Sequence, residues 1–93
     1  MIKRNLIISA VGRTMREYYL DNWLRTPEAH DYNITLITDC PHRYNDPPED
    51  SWPKVIAHQY FGARYNYHDK FIYALTIVSK TKQPAFLWDA DEL

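Results

Sequence analysis

Leu6-Ile7-Ile8-Ser9-Ala10-Val11 is an almost unbroken apolar run closed by Gly12. A strand facing water on one side alternates apolar and polar residues. A continuous run suits a strand covered on both faces, the usual state of a strand inside a parallel sheet. From Arg13 to about Arg25 the pattern becomes helical. Met15, Tyr18/Tyr19 and Leu20/Trp23/Leu24 recur at three- and four-residue spacing. Thr26-Pro27 ends that helix, because a residue before proline avoids the helical region. Asn33-Ile34-Thr35-Leu36-Ile37-Thr38 then reads as a second strand, closing at Asp39-Cys40-Pro41. Strand, helix and strand in this order predict a right-handed crossover with parallel pairing.

The rest of the chain extends the pattern. Pro41 to Pro53 is a polar, proline-rich loop, long enough to be expected functional or mobile. Lys54–His58 reads as a short third strand. A helix is predicted from about Asn66 to Lys82, with Asn66 as N-cap, Asp69 in its first turn and Lys80/Lys82 in its last, as the helix dipole prefers. Its predicted apolar face is Phe71, Leu75 and Val78, flanked by Ile72 and Ala74. Pro84 stops the helix, and Pro84-Ala85-Phe86-Leu87-Trp88 reads as the fourth strand. The predicted fold class is α/β, an open, mostly parallel sheet in the order β-α-β-β-α-β with flanking helices. Its 93 residues make one small domain, burying roughly 60–65% of the unfolded surface.

Composition narrows the partners. A net charge of −1 supplies no general attraction for nucleic acid or an anionic membrane, so neither is an expected partner. No apolar segment reaches the length of a membrane helix, and no cleavable signal pattern follows the amino terminus. Cys40 is the single cysteine and has no intrachain partner, which fits a reducing, cytoplasmic setting. Cys40-Pro41-His42 is at most half of a zinc site, since structural zinc needs four ligands at paired spacings.

Open sheets of this kind bind ligands beyond the carboxyl ends of their strands. The chemistry-bearing residues predicted there are the Ala10-Val11-Gly12-Arg13 turn, Asp39, His58 and the pair Asp89/Asp91. Asp89-Ala90-Asp91 follows an apolar strand directly. Carboxylates at i and i+2 of extended backbone share a side and can reach one hard cation such as Mg²⁺ or Mn²⁺. The bland alternative is a solvated acidic tail. Asp39 reads either as an acceptor for a base or sugar N–H or O–H, or as a turn aspartate serving local amides. Gly12-Arg13 reads as a tight turn that lets backbone approach a ligand, or as a simple strand-to-helix turn. Arg64, His68 and Lys70 cluster at the start of the second predicted helix, where cations and amide N–H groups can hold phosphate.

Taken together, Asn5–Val11, Ile34–Asp39 and Ala85-Phe-Leu-Trp-Asp-Ala-Asp91 resemble the N-terminal, nucleotide-sugar-binding half of a GT-A-fold glycosyltransferase. The resemblance covers nearly the whole chain but only about the first half of that family's domain. It implies a Rossmann-like half-domain with a nucleotide-sugar partner, UDP-sugar first, and Mn²⁺ or Mg²⁺ held at Asp89 and Asp91. It further implies that Ala10–Arg13 lie under the nucleotide and that Asp39 contacts the base. Arg64 and Lys70 would reach ribose or phosphate. The family's acceptor half and catalytic base follow its Asp-x-Asp motif, so the implied activity here is donor binding with transfer incomplete. A sheet edge left open would favour a homo-oligomer.

The alternative from a different class is a non-catalytic α/β interaction module, with Trp23, Trp52, Tyr60, Phe61, Tyr65 and Tyr67 forming an aromatic partner surface. A phosphatase-like Asp-x-Asp enzyme fits poorly, because its nucleophilic Asp belongs after the first strand, where this chain has Ala10-Val11-Gly12.

Overall fold

The computed structural model describes residues 3–60, 72, 74–76, 78–80, 82 and 84–93. Four strands form one sheet: β1 Arg4–Ala10, β2 Tyr32–Thr38, β3 Val55–Gln59 and β4 Ala85–Asp89. Their spatial order is β3-β2-β1-β4, and every neighbouring pair is parallel. The sheet is thus wholly parallel among the described residues. The chain steps outward from β1 through β2 to β3, then returns past them to place β4 on the other side of β1. That reversal opens a crevice between the carboxyl ends of β1 and β4.

The apolar runs are explained by cover on both faces. Leu6, Ile8, Ala10, Ile34, Leu36, Val55 and Ala57 point into one core, and Ile7 and Ile37 into a second. Over the first core lies a helix, α1, in two parts: Thr14–Leu20 with π-type turns, then Asp21–Leu24. A 3₁₀ turn, Pro27–Asp31, leads into β2, with Pro27 in its first turn, where its missing N–H costs nothing. Over the second core lie the helical residues 72, 74–76 and 78–80. The start of that predicted helix, including Asn66, Asp69 and Phe71, lies outside the described residues.

Three sequence expectations are corrected here. Tyr18 and Tyr19 are exposed; Met15, Leu20, Trp23 and Leu24 form the inner face instead. The π-type turns are the cause: bonding from i to i+5 stacks Met15 over Leu20 and swings the tyrosines outward. On the second helix Ala74 and Val78 face the sheet, while Ile72 and Leu75 face outward. A small residue marks the close helix–sheet approach there, and side-chain size alone points to the wrong face.

The third correction concerns the proline-rich loop. It contains a helical turn, α2, His42–Asn45, so the connection between β2 and β3 is not purely coil. It is also strapped to α1. The Arg43 guanidinium donates to the buried carboxylate of Asp21 at 2.6 Å, and the Tyr44 hydroxyl donates to the same group at 2.9 Å. Arg25 donates through Nε and Nη2 to Glu49. Trp52 is buried, stacked on Tyr44 with ring centroids 5.8 Å apart.

Candidate functional site

The site residues are carried by the carboxyl ends of β1, β2 and β4. β1 ends at Ala10, which is fully buried, and Val11 packs into the second core. Gly12 follows at φ +95°, a conformation that L residues rarely adopt, so glycine is what lets the chain turn from strand into helix here. Its carbonyl accepts the first helical bond, from the Arg16 N–H at 3.1 Å. Arg13 then projects into solvent and pairs with Glu17 one turn on.

Asp39, at the end of β2, reaches across to this turn. One oxygen, Oδ1, accepts the Gly12 N–H at 3.2 Å and the Arg16 Nε–H at 2.9 Å. The Gly12 amide is therefore committed to a carboxylate within the protein, and Asp39 braces the β1 turn. This is the local role weighed for a turn aspartate, though it acts over a distance of 27 residues rather than within its own turn. Arg16 was not singled out in the sequence. Its only signal there is a cation in the first turn after a strand-closing glycine.

Burial pushes the Asp39 carboxyl up, but the Gly12 N–H and the Arg16 guanidinium outweigh it and hold the group below its ordinary value. A lowered carboxylate contributes stability above its unfolded pKa and loses it as pH falls through the folded value. The brace therefore holds at neutral pH and releases in acid below about pH 4. Arg16→Met is expected to raise the Asp39 pKa, measured by NMR titration of its side-chain carboxyl carbon. An unchanged value would mean that the guanidinium does not act on it.

At the end of β4 the backbone stops being extended at Asp89 and enters a 3₁₀ turn, Ala90–Glu92. Asp89 caps that turn reciprocally with Glu92. Its carboxylate accepts the Glu92 N–H, and the Glu92 Oε1 accepts the Asp89 N–H at 3.1 Å. Ala90 is fully buried in the first core, and that anchors the turn beside the start of α1. Asp89 and Asp91 are therefore brought together by a turn, not by the alternation of a strand. Glu92 joins them: ligand oxygens of Asp89, Asp91 and Glu92 all lie within 4.8 Å of one another. The signal for its membership in the sequence is an Asp-x-x-Glu capping pattern, Asp89 to Glu92.

Among the described residues this is the only group of three or more His, Cys, Asp or Glu side chains so gathered, and Cys40 and His42 belong to no such group. Arg64, His68 and Lys70 lie outside the described residues. A groove of about 400 Å³ lies elsewhere, at the amino end of β3 between Tyr44, Trp52, Glu49 and Lys54, and none of the predicted site residues lines it. Among the described residues no helix is long and apolar enough to cross a membrane.

Fold and site together define a small, wholly parallel α/β unit with an acidic turn at its topological switch point. Comparison with protein-family models, with curated proteins and with solved structures gives no match for this chain.

Proposed function

We propose that the chain is a donor-nucleotide-binding unit of the glycosyltransferase type, taking a nucleotide sugar, UDP-sugar first, with a divalent cation at Asp89, Asp91 and Glu92. The observation that carries this reading is the gathering of three carboxylates at the switch point, at the carboxyl end of the strand that pairs with β1. Ser9 and Asp89 are register partners, so the two chain segments leave the sheet side by side.

The donor set suits the group. Three carboxylate oxygens are hard ligands, fitting Mg²⁺ or Mn²⁺ rather than a thiolate-seeking metal. Carboxylates this close repel one another, and a dication relieves that repulsion. When bound, the cation supplies charge neutralisation to a diphosphate and stabilises it as a leaving group. The chain's own residues do the rest. Asp89 and Glu92 fix the turn through their mutual caps, and buried Ala90 holds it against the core. Asp39 and Arg16 keep the β1 turn in place beneath the nucleotide.

Three of the six residues of the alternative aromatic interaction surface are withdrawn from solvent. Trp23, Trp52 and Tyr60 are buried, and Phe61, Tyr65 and Tyr67 lie outside the described residues.

The test is calorimetric titration of UDP with and without Mn²⁺, on wild type and on an Asp89→Asn/Asp91→Asn variant. Asn is as good an N-cap as Asp, so the variant keeps its turn. Wild type is expected to bind only with metal, and the variant at least about tenfold more weakly, a loss of roughly 1.4 kcal/mol or more. Absence of binding by a folded wild-type sample, or equal binding by the variant, overturns the reading.

A further inference from the structure

The two edges of this sheet are not equivalent. In a parallel ladder each residue turns its N–H and C=O to one side, and alternate residues turn to alternate sides. The Tyr60 N–H donates to the Thr38 carbonyl at 2.8 Å, so Thr38 faces β3. Carrying that parity through the register, Leu36 also faces β3, Ile7 and Ser9 face β4, and Phe86 and Trp88 face β1. Ala57 therefore faces outward on the β3 edge, and Ala85 and Leu87 face outward on the β4 edge.

The β3 edge is closed at its centre. The Asn45 carboxamide accepts the Ala57 N–H at 2.8 Å and donates to the Ala57 carbonyl at 3.0 Å, as a neighbouring strand would. On β4 the Asp89 N–H is taken by Glu92. Among the described residues nothing similar caps Ala85 or Leu87. β4 is short and its guards sit at its ends, Pro84 before it and the charged Asp89 closing it; between them Ala85–Trp88 carries no charge, no proline and no bulge. Beside it Phe86 is 47% exposed, at the end of a row of rings in which Tyr32, Trp88 and Phe86 follow one another at 6.2 Å spacings.

We propose that the β4 edge is a docking surface for a second copy of this chain, paired antiparallel about Leu87, joining the two four-stranded sheets into one. The strand is self-complementary in that orientation. Leu87 meets Leu87 of the second copy in a hydrogen-bonded pair, exchanging two N–H···O bonds. Phe86 meets Trp88 in the intervening pair, where side chains approach most closely, and so covers the exposed ring. Charge selects the same direction. The approach to β4 is basic, with Lys80 and Lys82, and its exit is acidic, with Asp89, Asp91 and Glu92. Antiparallel pairing sets each approach beside the other's exit, whereas parallel pairing sets like beside like. The inference rests on the backbone register and not on nucleotide binding.

Light scattering after size exclusion tests it, over a dilution series, with three variants. Leu87→Pro removes an outward N–H and leaves the bonds to β1 in place, the one setting where a strand tolerates proline. Phe86→Lys puts a charge on the exposed ring position, and Lys82→Glu sets acid against acid. Wild type is expected to run as a dimer, and each variant, with an unchanged circular dichroism spectrum, to weaken it about tenfold or more. Phe86→Lys and Lys82→Glu alter exposed side chains only, so they decide the matter if Leu87→Pro fails to fold. A wild type that stays monomeric at the highest concentration, or a dimer indifferent to Phe86→Lys and Lys82→Glu, overturns the proposal.

Discussion

Asp21→Ala is expected to destabilise the domain by about 3 kcal/mol, enough to remove most of the stability of a chain this small. Asp21 is 2% exposed and lies on the inner side of α1, where its two oxygens meet the Arg43 guanidinium and the Tyr44 hydroxyl. Removing the carboxylate leaves a guanidinium and a phenol facing a gap. The Arg43 side chain is one-third exposed, so it recovers some water, and the cost falls at the lower end for a broken buried pair. The phenol recovers less. Burial, together with the Asp21 charge and hydrogen bond, already pushes the Tyr44 hydroxyl well above its ordinary pKa. The loss spreads, because Tyr44 stacks on Trp52, and Arg43 and Arg25 lie 5.6 and 5.9 Å from the Trp52 ring centre. In urea, with a slope of about 1 kcal/mol per molar, the midpoint should drop by about 3 M, followed by tryptophan fluorescence. The double variant Asp21→Leu/Arg43→Met should be milder than Asp21→Ala, since it leaves neither charge unpaired. A cost below about 1 kcal/mol for Asp21→Ala would show that the strap holds nothing.

This network also marks where the sequence stops being legible. The strands could be read because each is a largely apolar run bounded at one end by Gly12, by Asp39 or by a preceding proline, Pro53 or Pro84, and those local signals survive folding. Parallel pairing followed from the strand–helix–strand order. Asp21 had no such signal. One acid beside an apolar stripe looks solvated, and its partners stand 22 and 23 residues away in a loop whose prolines and charges suggest mobility. Asp39 was placed correctly at a strand end, yet its attachment to Gly12 and Arg16 depends on β1 and β2 being neighbours, which a linear pattern only implies. At the acidic turn the residues were visible and the geometry was not. Alternation along a strand would have joined Asp89 and Asp91, whereas the capping turn adds Glu92 and buries Ala90 between them.

Helix phase is the other place where pattern and structure part, and a pair of substitutions separates them. In a regular α-helix successive residues turn by about 100°, so Met15 and Leu24 would stand on opposite sides, about 180° apart. No single face could then bury both, and Tyr18 and Tyr19 would flank Met15 as inner residues. The π-type turns of Thr14–Leu20 remove that conflict. They widen the first half of α1, so that Met15, Leu20, Trp23 and Leu24 converge on the sheet. Leu20 is fully buried and Tyr18 is 66% exposed. Leu20→Ala should therefore cost about 3 kcal/mol, the lost transfer of its side chain plus the cavity left above β1. Tyr18→Ala should stay within about 0.5 kcal/mol, since the ring meets mainly water and Tyr19. Urea unfolding of the two variants beside wild type measures both. Equal losses, or a larger loss at Tyr18, would return α1 to regular α-helical phase. The inner face of this helix, and with it the seating of the Gly12 turn and the Asp39 brace, would then have to be redrawn.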